Sequence, residues 1–578
     1  MKFNIKEKIK KIIYRNTRTF IFIFSCCLIV GCAQVVAPGG GPVDKTAPKA
    51  VKYLPDSATL NFKSRSIQIL FNEFFTLNDL PNQLIISPPL ENKPIITVKN
   101  KTLNIQFDEK EVLKPTTTYC ISFGNAIQDL NEKNPVPNFK YIFSTGNYID
   151  SITLSGTIQN AFDHKLEKGV LALLYKSQND SAVYNSLPEY FAKTTETGAF
   201  EITNIKSGSY KLLALKDANA NYKFNQESES IAFAENLINV DEKNTILLNL
   251  FQELPNKIYL KKYIQEQYGK YVLILNRGAD SLKVKRLTNA NEQQLQEQIQ
   301  LSKNKDTITY WINNYDADSI KFQIKNGAHI IDTAAFKVLK KEDALKSKRN
   351  PFKLSLVNSL NENMEVDLNA DIFLQFSNPI LNISKNVEVD LKEDTLKYKK
   401  YILSFYKSQN SNNLKISIGL KDSTVLTAKN SEPFKNNILK ENTKYSLNIP
   451  PNTFKDFFGL TNDSIKIKFK TRDEKYYGSV KLNLNFEPIL KGKYIVQLLD
   501  DKENIVRENS VSEPTILNYL YLQPRIYKLK IIADANSNGK WDTGNYLLKQ
   551  QPENVFYNKE SINIRSNWDL DLEWNVNK

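Results

Sequence analysis

The sequence predicts an all-β chain of tandem β-sandwich domains, and three observations predict it. Aromatic residues reach 11%, with 28 Tyr and 31 Phe against only 2 Met, a balance that suits pleated, half-buried surfaces. Apolar residues alternate with period two in short runs: Ile67, Ile69 and Phe71; Leu103, Ile105 and Phe107; Phe139, Tyr141 and Phe143. Clusters of Asn, Asp, Gly, Pro and Ser separate these runs, as a sandwich requires. At 578 residues and roughly 100–150 residues per domain, four or five domains are expected. The best helical candidate is Asn289 to Ser302 (NANEQQLQEQIQLS), read as a short helix or a polar loop.

The N-terminus reads as an address. Met1 to Arg18 is basic, and Thr19 to Val30 is a twelve-residue apolar run, too short to span a ~30 Å hydrocarbon core but suited to a signal peptide. Ile29-Val30-Gly31-Cys32 closes it. This resembles the lipobox of bacterial lipoproteins, which implies a signal peptide over 1–31, acylation of Cys32 and a lipid anchor. Residues 32–45, rich in Gly and Pro, read as a tether. Ala33 is not the Asp that retains lipoproteins in the inner membrane of many Gram-negative bacteria, so the outer membrane is expected. Surface-exposed lipoproteins of Bacteroidetes often carry acidic residues just after the Cys; none occurs here before Asp44, which favours the periplasmic face.

The net charge of +15 falls to +9 without residues 1–31, which carry +6. The remaining Lys residues are interleaved with acids and form no basic cluster, so a nucleic-acid partner is not expected. Of four Cys, Cys26 and Cys27 leave with the signal and Cys32 is acylated; Cys120, in a strand pattern, is expected to be a buried apolar residue.

An internal repeat organises the rest. Tyr210-Lys211-Leu212-Leu213-Ala214-Leu215-Lys216-Asp217-Ala218-Asn219 returns as Tyr527-Lys528-Leu529-Lys530-Ile531-Ile532-Ala533-Asp534-Ala535-Asn536, 317 residues later. Ile69-Leu70-Phe71-Asn72 is echoed by Leu374-Gln375-Phe376-Ser377, and Ile127-Gln128-Asp129 by Phe454-Lys455-Asp456. Several matches in one order indicate a duplicated two-domain unit.

On Thr46-Ala47-Pro48, Ile69-Leu70-Phe71-Asn72-Glu73, Leu113-Lys114-Pro115-Thr116-Thr117-Thr118-Tyr119 and the closing Phe139 to Gly146, residues 46–147 resemble the bacterial Ig-like domains named after S-layer proteins. Residues 350–474 resemble a divergent second copy, through Asn442-Thr443-Lys444-Tyr445 and Phe454 to Leu460. Residues 148–250 resemble a transthyretin-like, carboxypeptidase-regulatory-type domain, through Leu154 to Ile158, Thr195 to Ile202 and Ile205 to Tyr210. Residues 475–578 resemble a second copy without the Thr-x-x-Gly-x-Phe hairpin, and 251–349 form a β-rich domain of unknown type. Lys-rich Lys337 to Arg349 reads as an exposed joint. The resemblance implies adhesive, spacer or scaffold modules without catalysis.

The chemistry-bearing residues are few. Asp534, Asn536, Asn538, Gly539 and Asp542 hold positions 1, 3, 5, 6 and 9 of a calcium-loop pattern, but Asn545 stands where a bidentate Glu is needed. The alternative is a turn held by Asn and Asp side chains bonding their own backbone. Asp217, Asn219, Asn221 and Asn225 repeat the pattern with Tyr222 for the Gly. No catalytic motif stands out; His164 and His329 read as structural. Trp541 and Trp568 read as core anchors, or as sugar platforms. The expected function is a non-enzymatic, outer-membrane-anchored envelope lipoprotein acting as a scaffold with an unidentified envelope protein partner. A glycan- or peptidoglycan-binding lipoprotein and a hydrolase with an unrecognised site are the alternatives. No cofactor is expected beyond calcium at the 534–542 loop.

Overall fold

The computed structural model describes residues 44–242, 246–288, 295–315, 317–345, 354, 356–358, 364–368, 372–384, 390–393, 401–407, 412–420, 439–487 and 492–576. The described chain is all-β, with helix confined to single turns. It forms two compact units, residues 1–150 and 151–578.

In the first unit, one sheet orders Ala50–Leu54, Ser66–Phe71, Thr102–Gln106 and Ile95–Lys99; a second orders Ile85–Ser87, Thr118–Gly124 and Phe139–Ser144. The alternating positions read from the sequence (Ile67, Ile69, Phe71, Leu103, Ile105, Phe107, Tyr141 and Phe143) are buried in one core, because period-two alternation turns every second side chain to the same face. Cys120 is buried in its strand and takes part in no disulfide.

Within the second unit, residues 356–471 repeat this plan. One sheet orders Leu356–Asn358, Ile372–Phe376, Asn413–Leu420 and Tyr401–Lys407; the other orders Met364–Val366, Ile465–Thr471, Lys444–Ile449 and Asp390–Glu393. Small fixings are repeated too. The Tyr119 hydroxyl accepts from the backbone N–H of Lys114 at 2.8 Å, as Tyr445 accepts from Lys440 at 2.9 Å. The Thr145 hydroxyl donates to the Lys114 carbonyl, as that of Thr471 donates to Lys440. Thr116 and Asn442 both take a positive φ in the intervening turn. Asp129 accepts from the N–H groups of Asn131, Glu132, Lys133 and Asn134. Burial pushes the Asp129 carboxyl up, and these donors bring it below the usual carboxylate range. At Asp456, which accepts from Phe458, Leu460 and the Asn378 amide, burial wins and the carboxyl is pushed up.

The two remaining copies share an eight-strand plan. In each, the first strand pairs parallel with the last: Ile152–Asn160 with Ile246–Gln252, and Gly478–Asn485 with Asp569–Asn575. The repeated segments form equivalent central strands, Ser209–Lys216 and Ile526–Asp534, each pairing antiparallel with the domain's second strand, Leu171–Tyr175 or Lys493–Leu499. Their alternate residues, Tyr210, Leu212 and Ala214 or Tyr527, Leu529 and Ile531, enter the core. The hairpin missing from the second copy is replaced by a short connection from Ile505–Val511 to Thr515–Leu522.

Residues 260–337 form a sandwich of four strands (Leu260–Gln267, Lys270–Leu275, Thr307–Asn313, Gln296–Leu301) over three (Leu282–Arg286, Ser319–Asn326, His329–Lys337), with Tyr271, Tyr310, Phe322 and Phe336 clustered between them. One expectation needs correction and another is met in part. Gln296–Leu301 is a strand, not a helix or loop: Ile299 lies opposite Tyr310 and Leu301 opposite Ile308, and Gln300 accepts from the Trp311 indole at 3.0 Å. Cross-strand partners override the helical propensity of Gln. Lys337–Leu345 is exposed at Lys337, Lys340, Lys341, Glu342 and Asp343, as the joint reading expects, but it is fastened to its neighbours. Lys337 pairs with Ser319, Val338 and Ala344 are buried, and Leu339 N–H donates to the Gln265 side chain. Residues 346–353 lie outside the described residues.

Replacing Tyr119 or Tyr445 by Phe leaves each ring in place and removes one acceptor from a backbone N–H. Each is expected to cost its own domain about 1–2 kcal/mol, measured by denaturant unfolding. Equal losses at the two sites would confirm the shared fixing; no loss at either would remove it.

Candidate functional site

The acidic loop of the second copy begins where the strand Ile526–Asp534 ends. Asp534, only 1% exposed, accepts from the N–H of Asn538 at 3.0 Å and of Gly539 at 2.8 Å. Gly539 sits at φ +78°, a conformation that glycine adopts without a Cβ clash. One Asp542 oxygen accepts from the side-chain amides of Asn536 and Asn538, at 2.5 and 2.6 Å. The four singled-out residues thus converge. A fifth was missed: Glu553 accepts from the N–H of Ala535 at 2.8 Å and of Asp542 at 2.9 Å, spanning the loop's two ends. Burial, with Asp542 and Asp534 nearby, pushes its carboxyl up against these donors.

The first copy is built alike. Asp217 accepts from the N–H of Asn219 and Tyr222, with Tyr222 at φ 63° in the place of Gly539. The Asn219 amide donates to Asn225. Glu229, 1% exposed, accepts from Ala218, Asn225 and Gln226. Asn545 of the calcium pattern belongs to a separate turn, its N–H donating to the Gln550 carbonyl. In both loops the carboxylates accept from the loop's own N–H groups, the chemistry of a braced turn. Among the described residues no group of three or more His, Cys, Asp and Glu is arranged to hold a metal ion.

The second loop also does mechanical work, lying in a seam against residues 160–253. Tyr546 is buried, 5.5 Å from Phe233 and 6.2 Å from Tyr184 between ring centres, and its N–H donates to Glu253. A Cβ on Gly544 would stand 2.6 Å from the Phe251 ring, so the approach requires glycine. Thr543 donates to the Gln252 carbonyl, and Gln551 to that of Phe233. Trp541 packs on Phe162 at 5.1 Å and donates to the Glu553 carbonyl, so it is an anchor. Trp568 is 48% exposed, with the Arg565 guanidinium 5.1 Å from its ring.

Lys530 closes the seam. It is 3% exposed, and its ammonium lies 3.1 Å from the Phe162 ring centre and 5.5 Å from that of Tyr557. Burial pulls its pKa down to about 8, against the opposing pull of Asp163 and Glu503. His164 stacks edge-on against Tyr557, and burial lowers its pKa. His329 is exposed at the start of its strand. A second seam joins residues 260–337 to 372–469: the Asn313 amide donates to the Phe457 carbonyl at 2.9 Å, Gln300 bonds Asn412, and Phe458 lies beside Trp311 and Gly269. Cys32 lies outside the described residues.

Residues 44–145 match the model of a family described as a bacterial Ig-like domain. That stretch is therefore an Ig-like domain, as its motifs suggest. No functionally curated protein matches the chain. Among solved structures, the S-layer protein rSbsC(31-844) is 11% identical over 84% of this chain and 65% of its own, at a TM-score of 0.13. The Bacillus anthracis TIE protein is 8% identical over 94% of this chain and 76% of its own, at 0.14. The major pilin subunit BcpA of Bacillus cereus is 11% identical over 74% of this chain and 99% of its own, at 0.12. The chain spans about 65% of the length of that S-layer structure. At these scores the likenesses carry no argument about domain arrangement. No helix of the described residues is long and apolar enough to cross a membrane.

Asp534→Ala is expected to destabilise the second unit by about 1–2 kcal/mol, since it takes the acceptor from two part-buried N–H groups that shape the loop. Millimolar calcium is expected to leave the wild-type melting temperature unchanged; a calcium-dependent rise that Asp534→Ala abolishes would establish a metal loop instead. The Lys530 pKa lies below that of a free lysine, so its contribution to stability is complete above pH ~10.4 and is lost as pH falls through about 8. Lys530→Met, which keeps the bulk, is therefore expected to gain up to about 3 kcal/mol at pH 7. The gain should shrink as pH rises to 9.5, as calorimetry of both proteins across that range would show.

Proposed function

We propose that the protein is an envelope scaffold: a row of β-sandwich modules tethered by an acylated Cys32 to the outer membrane, on its periplasmic face, and presenting a stiff 151–578 block to a protein partner. The seam around Tyr546 and Lys530 carries this reading. Modules that only had to hang in sequence would be joined by their linkers, whereas here residues 160–253 are sealed to 530–557 by buried rings and hydrogen bonds. Such bracing sets fixed distances between surfaces, which is what a spacer or assembly platform needs. The Ig-like match over residues 44–145 and the basic, apolar, Gly31-Cys32 series of the N-terminus support an envelope location. We propose the two acidic loops as braced turns serving this seam rather than as cofactor sites.

Cys32→Ala is expected to release the protein from membranes or leave it unprocessed, and to abolish labelling by a fatty-acid analogue. Affinity purification of the wild-type protein from gently solubilised membranes should bring down a stoichiometric envelope protein. Membrane retention of the Cys32→Ala protein with unchanged labelling would overturn the anchor, and recovery of the chain alone would overturn the scaffold.

A further inference from the structure

In the 260–337 sandwich the four-stranded sheet carries Trp311 and Asn313 into the second seam, while the outward side of the three-stranded sheet faces solvent. Val284, Phe322, Ile324 and Phe336 turn into the core, so the residues alternating with them turn out. These include Lys283 and Lys285 on the first strand, Lys321 and Lys325 on the second, and Lys337 on the third. Along the chain they stand singly between apolar residues; the sheet gathers them. The register sets Lys283 directly opposite Lys325, and like charges so placed destabilise a sheet. No outward position of these three strands holds a carboxylate. Asp318, beside the second strand, is taken by Lys340 at 3.2 Å, and Arg286 turns away to Glu297 at 2.5 Å. Two aliphatic side chains share the lysine face. Ile330, 59% exposed, lies opposite Lys325. Leu287, 43% exposed, continues the first strand, its N–H donating to the Lys321 carbonyl.

We propose that this face lies on a bilayer surface rich in anionic phospholipid, its lysines meeting headgroup phosphates and Leu287 and Ile330 entering the boundary of the acyl region. Charge complementarity carries the proposal: five cations occupy one side of three strands without an acid among them, and a negative surface relieves the opposed Lys283 and Lys325. The choice of cation favours lipid. Lysine is a flexible point charge suited to a diffuse negative surface, whereas shaped recognition of single phosphates or carboxylates favours the arginine fork. The aliphatic pair points the same way, since a soluble polyanion would leave it in water and a bilayer boundary buries it. Strand spacing and rise make the patch about 10 Å by 20 Å, room for several headgroups. The proposal deepens the membrane-tethered reading and rests on it for bringing the face to a bilayer; the contact itself uses no acyl chain.

Co-sedimentation of the full chain with vesicles of phosphatidylcholine, alone or mixed with phosphatidylglycerol, tests this. Variants are compared in the same full chain, so whatever residues 1–45 contribute is common to all. Preference for the phosphatidylglycerol vesicles is expected, and it should fall as salt rises. Each lysine near an anionic surface changes partition about fivefold. Lys283→Gln combined with Lys325→Gln should therefore weaken binding to those vesicles about twentyfold. It should leave binding to pure phosphatidylcholine unchanged and should not lower the melting temperature, because it removes an opposed pair. Lys99→Gln combined with Lys110→Gln makes the same charge change at exposed lysines outside the face and should leave binding unchanged. Equal losses in the two double variants, no loss in the first, or no preference for phosphatidylglycerol would overturn the proposal. So would retention by soluble polygalacturonate without vesicle binding, which would assign the face to an acidic polymer. Fatty-acid labelling of Cys32 is read separately, so failure of the anchor and failure of the face are distinguishable.

Discussion

The architecture of the 151–578 block depends on one constraint: long loops leaving a small β-sandwich must satisfy their backbone N–H groups before anything can be packed on them. The chain meets it with buried and half-buried carboxylates. Glu553 joins the two ends of its loop through Ala535 and Asp542, and Glu229 does the same through Ala218 and Asn225. A carboxylate is suited to this because it offers several acceptor positions and no donor, so one side chain can gather N–H groups from several residues. Once shaped, the loop becomes rigid enough to present Tyr546 and Gly544 to the neighbouring domain.

The same device appears in the Ig-like domain and in the sandwich that repeats its plan, with a different outcome. Asp129 and Asp456 occupy the same turn of the plan, and each gathers backbone N–H groups that follow it. After Asp129 the chain presents Leu130 to solvent, 52% exposed. After Asp456 it presents Phe457 and Phe458 to the sheet that carries Trp311. The two turns are thus equally stiff, and the residues beyond them make a surface loop in one sandwich and a docking knob in the other.

Much of the fold was legible because sheets write their burial into alternate residues: Ile67, Ile69 and Phe71 could be placed in a core from spacing alone. The repeat made the second copies visible even where their motifs had drifted. The strand Gln296–Leu301 was not legible, since Gln carries little strand signal and its pairing with Thr307–Asn313 comes from partners outside the local window. Asp534, Asn536, Asn538 and Asp542 were found because they lie within nine residues; Glu553 was missed because it lies eleven residues beyond Asp542. Its signal was in the repeat: Glu229-Ser230-Ile231 and Glu553-Asn554-Val555 both lead from the loop into the next strand. The seam left no periodic trace. Phe162, Phe233 and Tyr546 are ordinary aromatics in sequence, and only tertiary packing brings them together.

That seam has a consequence for biogenesis. Its hydrogen bonds join residues roughly 300 to 400 positions apart, from Thr543 with Gln252 to Tyr557 with Phe162. Contacts of such separation are slow to form, and domains fold as units, N-terminal first. The first repeat will therefore complete its own core while its partner is still unmade. Until the last strands emerge, Phe162, Phe233 and Phe251 lack the surface that covers them. Synthesis thus includes an interval in which a half-finished chain carries an uncovered aromatic patch, open to a chaperone and vulnerable to pairing with another copy.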